Sequence, residues 1–171
     1  MEKLFVLAGK ARSGKDTVAS IIKENTNKKT LIYSVTTYLK KYIKDIYGTY
    51  DEKNKPRDIL QTLGKEIKEK YPNFFLDRMK EDIRFLEEYY DIIVITGIRL
   101  VKELDFLKRN FSAVLIKIEC DKENNLTEHQ KKDITETDVD NYHDYDYVIN
   151  NKDCEHLKQK IKTIMEEQLW I

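Results

Sequence analysis

Short, nearly unbroken apolar runs alternate along this chain with longer segments in which apolar residues recur every three or four positions. Residues 3–8 (Lys3-Leu4-Phe5-Val6-Leu7-Ala8) read as a first strand, and residues 14–27 as the helix behind it. Residues 30–34 form a short second strand. A helix over 36–47 follows, with Leu39, Ile43 and Ile46 on one side; residues 48–55 are polar and turn-like. Pro56 suits the first position of a helix running to 70, with Ile59, Leu60, Leu63 and Ile67 as its apolar stripe. Asn73 is placed to cap a further helix through Phe75, Met79, Ile83 and Leu86. Asp91-Ile92-Ile93-Val94-Ile95-Thr96 is a continuous apolar run, of the kind buried on both faces in the middle of a parallel sheet.

A helix over 101–109, a strand over 113–119, a strand over 145–150 and a closing helix over 153–167 complete the pattern. Leu157, Ile161 and Ile164 face inward from the last. Residues 121–138 are polar, charged and without clear periodicity, which is expected of a lid or a disordered stretch. Alternating strands and helices predict an α/β fold: a three-layer, doubly wound parallel sheet, in one domain spanning 1–171.

Composition changes this picture little. The 171 residues carry 31 basic and 31 acidic side chains, with no basic half or tail to meet a nucleic acid polymer. Cys120 and Cys154 lack metal-ligand spacing, and His129, His143 and His156 are scattered. No apolar run reaches membrane-spanning length, and the chain opens on a strand without a basic-then-apolar leader. A cytoplasmic protein without membrane contact is expected.

The chemistry lies directly behind the first strand. Gly9-Lys10-Ala11-Arg12-Ser13-Gly14-Lys15-Asp16-Thr17 fits the phosphate-cradling loop G-x-x-x-x-G-K. Such a loop turns tightly with its N–H groups inward, and the helix starting near Gly14 adds unpaired N–H groups and the positive end of its dipole. Lys15 is expected to reach the outer phosphates as a compact charge. Ser or Thr normally follows that lysine and meets magnesium; here Asp16 stands there, with Thr17 next. A carboxylate is a hard oxygen ligand, so Asp16 or Thr17 is the expected metal contact, against the alternative that Asp16 only favours the first helical turn.

Arginines are scarce, which makes Arg12 in the loop and Arg99 after the central strand candidate phosphate clamps. Arg57, Gln61 and Gly64 fall on one helical stripe, an arginine, an amide and a gap suited to a phosphorylated acceptor; the alternative is an amphipathic surface helix. Asp138, Asp140, Asp144 and Asp146 are expected to cap helices and turns, and Tyr142, Tyr145 and Tyr147 to pack in the core or at its rim.

These blocks together resemble the P-loop small-molecule kinases that comprise phage-type deoxynucleoside monophosphate kinases and animal-type phosphomevalonate kinases, with dephospho-coenzyme A kinases more distant. The resemblance is carried by Gly9 to Thr17, Tyr33-Ser34 with Leu39-Lys40, Arg57 to Gly64 with Glu66, and Asn73-Phe74-Phe75. Thr96 to Arg99, Glu136-Thr137-Asp138-Val139-Asp140-Asn141 and Asp144 to Asn151 complete it. It implies a nucleoside monophosphate kinase-like fold, with an acceptor-binding helical region at about 35–90 and a lid at about 121–138. It also implies Mg²⁺-ATP as donor on the loop, and an acceptor phosphate near Ser34, Lys40, Arg57, Gln61 and Arg99. Asn150 would lie near the adenine, and Lys131 and Lys132 would serve the lid.

The partners expected are ATP and a small phosphorylated acceptor, for a monomer or homodimer. A (deoxy)nucleoside monophosphate is the first choice, phosphomevalonate or dephospho-coenzyme A the alternative. Two departures stand out: Gly97 occupies the place of an aspartate after the central strand, and the lid has lysines where arginines are usual. They motivate a reading from another class, a nucleotide-binding regulator without turnover.

Overall fold

Leu4, Val6 and Ala8 project to one side of strand β1 (Lys3–Ala8) and Phe5 and Leu7 to the other, and all five are buried. An apolar strand without polar alternation is stable only where both faces are covered. That holds here. The structure, a computed structural model, describes residues 1–48, 57–120, 133–151 and 154–169. Among them β1, β2 (Thr30–Ser34), β3 (Ile92–Ile98), β4 (Val114–Glu119) and β5 (Tyr147–Asn150) form a parallel sheet in the order β2-β3-β1-β4-β5.

Helices cover both faces. On the Leu4–Val6–Ala8 side lie α2 (Thr37–Tyr47), α3 (Arg57–Lys70), α4 (Phe74–Leu86) and α5 (Val101–Phe111). They bring Leu39, Phe75, Met79, Ile83, Leu104 and Leu107 against Ile93 and Ile95. On the Phe5–Leu7 side lie α1 (Lys15–Glu24) and α7 (Cys154–Leu169), with Val18, Ile22, Leu157 and Ile161 against Ile92 and Val94. At about 25 cal/mol per Å² of apolar surface, each such fully buried side chain contributes about 1.5–3 kcal/mol, so the two layers supply most of the drive to fold. Because every strand runs the same way, all their carboxyl ends meet at one edge of the sheet, where ligands of open α/β sheets bind.

Several element ends differ from expectation. Helix α1 stops at Glu24 because the Asn25 side chain donates to the Ile21 carbonyl (2.8 Å) and Thr26 then turns the chain. Strand β3 continues two residues further, to Ile98. Strand β5 starts only at Tyr147, since Asp146 turns its carboxylate to the Leu115 N–H (2.7 Å). Asn73 does occupy the N-cap position of α4, but its side chain makes no capping hydrogen bond.

The end of the polar stretch 121–138 is not irregular. Asp133 accepts the Thr135 N–H (2.9 Å) and starts a four-residue helix, α6 (Ile134–Thr137), which runs into a 3₁₀ turn at Asp138–Asn141. Residues 121–132, with Lys131 and Lys132, lie outside the described residues, as does the Arg57 side chain.

Candidate functional site

The loop between β1 and α1 sits at the centre of the sheet's carboxyl edge, because β1 is the middle strand. Gly9 lies where β4 presses closest: a Cβ there would meet the Ile118 carbonyl oxygen at 2.3 Å, so a side chain would push the two apart. Gly14 is the N-cap of α1, and Arg12 takes a left-handed φ of +61°, uncommon for a residue with a Cβ. Successive N–H groups in such a turn line a concavity suited to anions.

Lys15 is buried and folded over the loop. Its ammonium donates to the carbonyls of Gly9 (2.9 Å) and Lys10 (2.6 Å) and to Ser13 Oγ (3.3 Å). Asn151, one residue past β5, donates from Nδ2 to the Ser13 carbonyl (3.0 Å), while its own N–H is held by Glu119. The predicted Asn150 stands beside it, half-buried at the end of β5. Asp16 and Thr17 are exposed on the first turn of α1.

A cavity of about 380 Å³ opens beside the loop, between the tip of β3 and helices α2, α3 and α4. Leu39, Leu60 and Phe75 form apolar wall, Gln61 and Arg99 polar wall. Of the predicted acceptor residues, Gln61 and Arg99 therefore share one cavity. Ser34 and Lys40 do not line it; Ser34 Oγ instead pairs with Thr36 Oγ1 (3.1 Å). Gly64 lines it as well, and among the described residues a Cβ there would meet only Leu39 Cδ1, at 3.6 Å, an ordinary contact. No neighbour within the described chain requires glycine at that position.

Arg99 joins cavity and loop. Its backbone N–H and that of Leu100 donate to the buried Glu103 carboxylate (2.9 and 3.1 Å), which fixes the turn from β3 into α5. From that turn its guanidinium donates to the Gly9 carbonyl and to Glu136, each at 3.4 Å. Glu136, on α6, is 5% exposed, and its other carboxylate oxygen accepts the Ala11 N–H of the loop at 2.7 Å. Lys68 pairs with Glu103 (3.4 Å) and lies over the Phe75 ring.

Of the acidic residues that follow α6, all expected as caps of helices or turns, Asp138 and Asp146 accept backbone N–H groups, while Asp140 and Asp144 pair with lysines. Asp138 accepts the Val101 N–H at the start of α5 (2.7 Å), and Asp144 and Asp146 pair with Lys108. Asp140 lies between Lys10 of the loop (2.8 Å) and Lys117 of β4 (3.2 Å). Burial pushes the Asp140 carboxyl upward, but its hydrogen bonds and attraction to the two ammonium groups outweigh that and hold it below the usual carboxylate range. Lys117 shows the converse: burial lowers it, and Glu119 and Asp140 raise it further. Tyr142 and Tyr145 pack edge to face, with the Tyr145 hydroxyl on the Val139 carbonyl; His143 and His156 are exposed.

At the tip of β3, Gly97 has a φ of +86°, and the β1–β3 register slips beside it, between Val6 and Ala8. The absence of an acidic side chain there coincides with a backbone that residues with a Cβ rarely adopt. Among the described residues, no group of three or more His, Cys, Asp or Glu side chains is arranged to hold a metal ion.

No protein-family model and no curated protein matches the chain. Solved structures do. A shikimate kinase from Bacteroides thetaiotaomicron superposes with a TM-score of 0.54 at 13% identity, over 99% of both chains. A sugar kinase from Janibacter sp. HTCC2649 gives 0.56 at 10% identity, over 100% of this chain and 96% of that one. The tunicamycin resistance protein of Deinococcus radiodurans gives 0.55 at 12%, over 98% and 95%. The fold is the one these solved structures share. At such identities the likeness extends to the parallel sheet and its flanking helices, and does not single out the nucleoside monophosphate or phosphomevalonate group. Among the described residues no helix is long and apolar enough to cross a membrane.

Sequence reasoning missed the residues that connect this loop to the cavity and to β5. Glu136 and Asn151 entered only as letters of resembling blocks, Asn151 as a neighbour of Asn150, and Glu103 had no assigned task. A glutamate at the third position of a helix is a signal for Glu103. Glu136 has none, because its partner Ala11 is 125 residues away.

Proposed function

We propose that this chain transfers the γ-phosphoryl group of ATP to a small acceptor seated in the cavity beside the loop. The single observation behind this reading is the position of Arg99, which lines the cavity and reaches the Gly9 carbonyl of the loop. A donor phosphate on the loop and an acceptor in the cavity would then meet at one guanidinium. The solved structures of like fold that carry the name kinase support a phosphotransferase in general.

The loop N–H groups and the start of α1 would hold the β- and γ-phosphates. Lys15 would exchange the carbonyls of Gly9 and Lys10 for phosphate oxygens, and Arg12 and Arg99 would offset the charge that spreads over the transferring group. An acceptor oxygen forms the new bond to the γ-phosphorus as the bond to the β-phosphate oxygen breaks and ADP leaves. A phosphate acceptor is already anionic near neutral pH, so no base is needed.

Magnesium sites of this kind use one or two protein oxygens plus substrate phosphates, and the exposed Asp16 and Thr17 beside Lys15 fit that demand. When bound, the ion would neutralise phosphate charge. Asn150 would lie toward the adenine, Lys131 and Lys132 would add cations from a segment outside the described residues, and Arg57 would add one from the start of α3.

The acceptor we favour is a (deoxy)nucleoside monophosphate, with phosphomevalonate and dephospho-coenzyme A as alternatives. The test is coupled ADP release with Mg²⁺-ATP against each of these, shikimate, simple sugars and no acceptor. One strong responder, silenced by Lys15→Ala, is expected. The Gly97 backbone, which leaves the strand tip without a carboxylate, favours a second reading: a nucleotide-binding regulator. ATP binding with no ADP from any acceptor would select it.

A further inference from the structure

We propose that the Glu136 carboxylate is a built-in occupant of the phosphate loop, holding the Ala11 N–H and Arg99 until a nucleotide phosphate takes both. This rests on the nucleotide-binding reading of the loop. Three observations meet here. Glu136 is buried, so its charge is shielded from water by the protein around it. One of its oxygens accepts the Ala11 N–H at 2.7 Å, the length of a charge-assisted bond, and the other faces Arg99 at 3.4 Å. It lines the cavity as well as touching the loop, which places it between the two sites.

A loop donor and a nearby guanidinium are what a phosphate oxygen would engage, and a carboxylate is the protein's nearest substitute for one. An arriving phosphate meets a like charge and competes for the same two donors. Glu136 must therefore yield, and Arg99 changes partner from carboxylate to phosphate. It is a positioning residue: without nucleotide it keeps the Ala11 N–H and Arg99 pre-aimed.

Asp138 and Asp140 hold the chain on which Glu136 rides. Asp138 sits on the Val101 N–H and Asp140 on Lys10 and Lys117, so the carboxylate is delivered by a segment fixed independently of it. Removing its charge should thus leave the segment in place.

The experiment titrates inorganic pyrophosphate and ATP, both without magnesium, into the wild type, Glu136→Gln and Glu136→Asp. Glutamine keeps an oxygen for the Ala11 N–H but loses the competing charge. It should bind both anions about fivefold tighter, the difference between a charged and a neutral hydrogen bond, and the gain should shrink as salt is added. Aspartate keeps the charge and should show no gain. Equal or weaker binding by the glutamine variant, with ATP still bound by the wild type, overturns the proposal and leaves the kinase reading standing. Absence of ATP and pyrophosphate binding in all three proteins overturns both.

The wild type alone gives a second test, independent of how the variants fold. The Glu136 side-chain carboxyl ¹³C resonance should move as pyrophosphate saturates the loop; a resonance that stays fixed at saturation overturns the exchange.

Discussion

Gly97 shows how a single backbone angle limits the chemistry available at this edge. Its φ of +86° belongs to the region that residues with a Cβ avoid, and a Cβ placed there would also meet Ser34 Oγ at 3.4 Å. Gly97→Asp, the substitution that would restore an acidic strand tip, is therefore expected to destabilise the fold by about 1–3 kcal/mol. Urea unfolding measures it; an unchanged midpoint would mean the tip relaxes freely. The turn between β1 and α1 was legible residue by residue, since glycines and a lysine at fixed spacing encode a local shape. The position of Arg99 at the end of β3 was legible as well, because the apolar run that forms the strand ends just before it. Glu136 was not, because burial and two long-range partners make its task, and no local pattern records them.

At the scale of elements, apolar period located the five strands and the long helices, with errors at their ends, but missed the short α6 and the 3₁₀ turn after it, which lie in a stretch without apolar period. Those ends are set by single hydrogen bonds: Asn25 on Ile21 closes α1, and Asp146 on Leu115 delays β5. Gly64 within α3 is a sharper case. A glycine inside a helix costs about 0.5–1 kcal/mol relative to alanine, and among the described residues a Cβ would meet only Leu39, in ordinary contact. Gly64→Ala should stabilise the protein by about that amount while raising the KM for the acceptor, because the methyl enters the cavity. Stabilisation without any kinetic effect would remove α3 from the acceptor site.

The Asp140 clamp makes a prediction in pH. Its folded carboxyl lies below the ordinary 3.8, so its contribution is fully present above that value and is lost as pH falls through the lower, folded one. Asp140→Asn should thus be less stable than the wild type near pH 6–7, by no more than about 1 kcal/mol for so exposed a pair, with the difference vanishing in acid. Thermal unfolding across pH reads it directly. A constant difference would mean that Asp140 acts through packing.

Across the whole molecule, the strand order β2-β3-β1-β4-β5 brings distant pieces of chain to one edge: the loop after β1, Arg99 after β3, Asn151 after β5 and Glu136 before it. The alternation of strands and helices announced such a sheet, but the order of its strands and the cavity between α2, α3 and α4 depend on packing that no window of sequence contains. If loop and cavity form a single transfer site, phosphorus NMR of Mg²⁺-ATP with the responding acceptor should show ADP and a new phosphorus resonance on the acceptor in equal amounts, both absent with Lys15→Ala. ADP accompanied only by inorganic phosphate, or ATP left intact beside every acceptor, would contradict it.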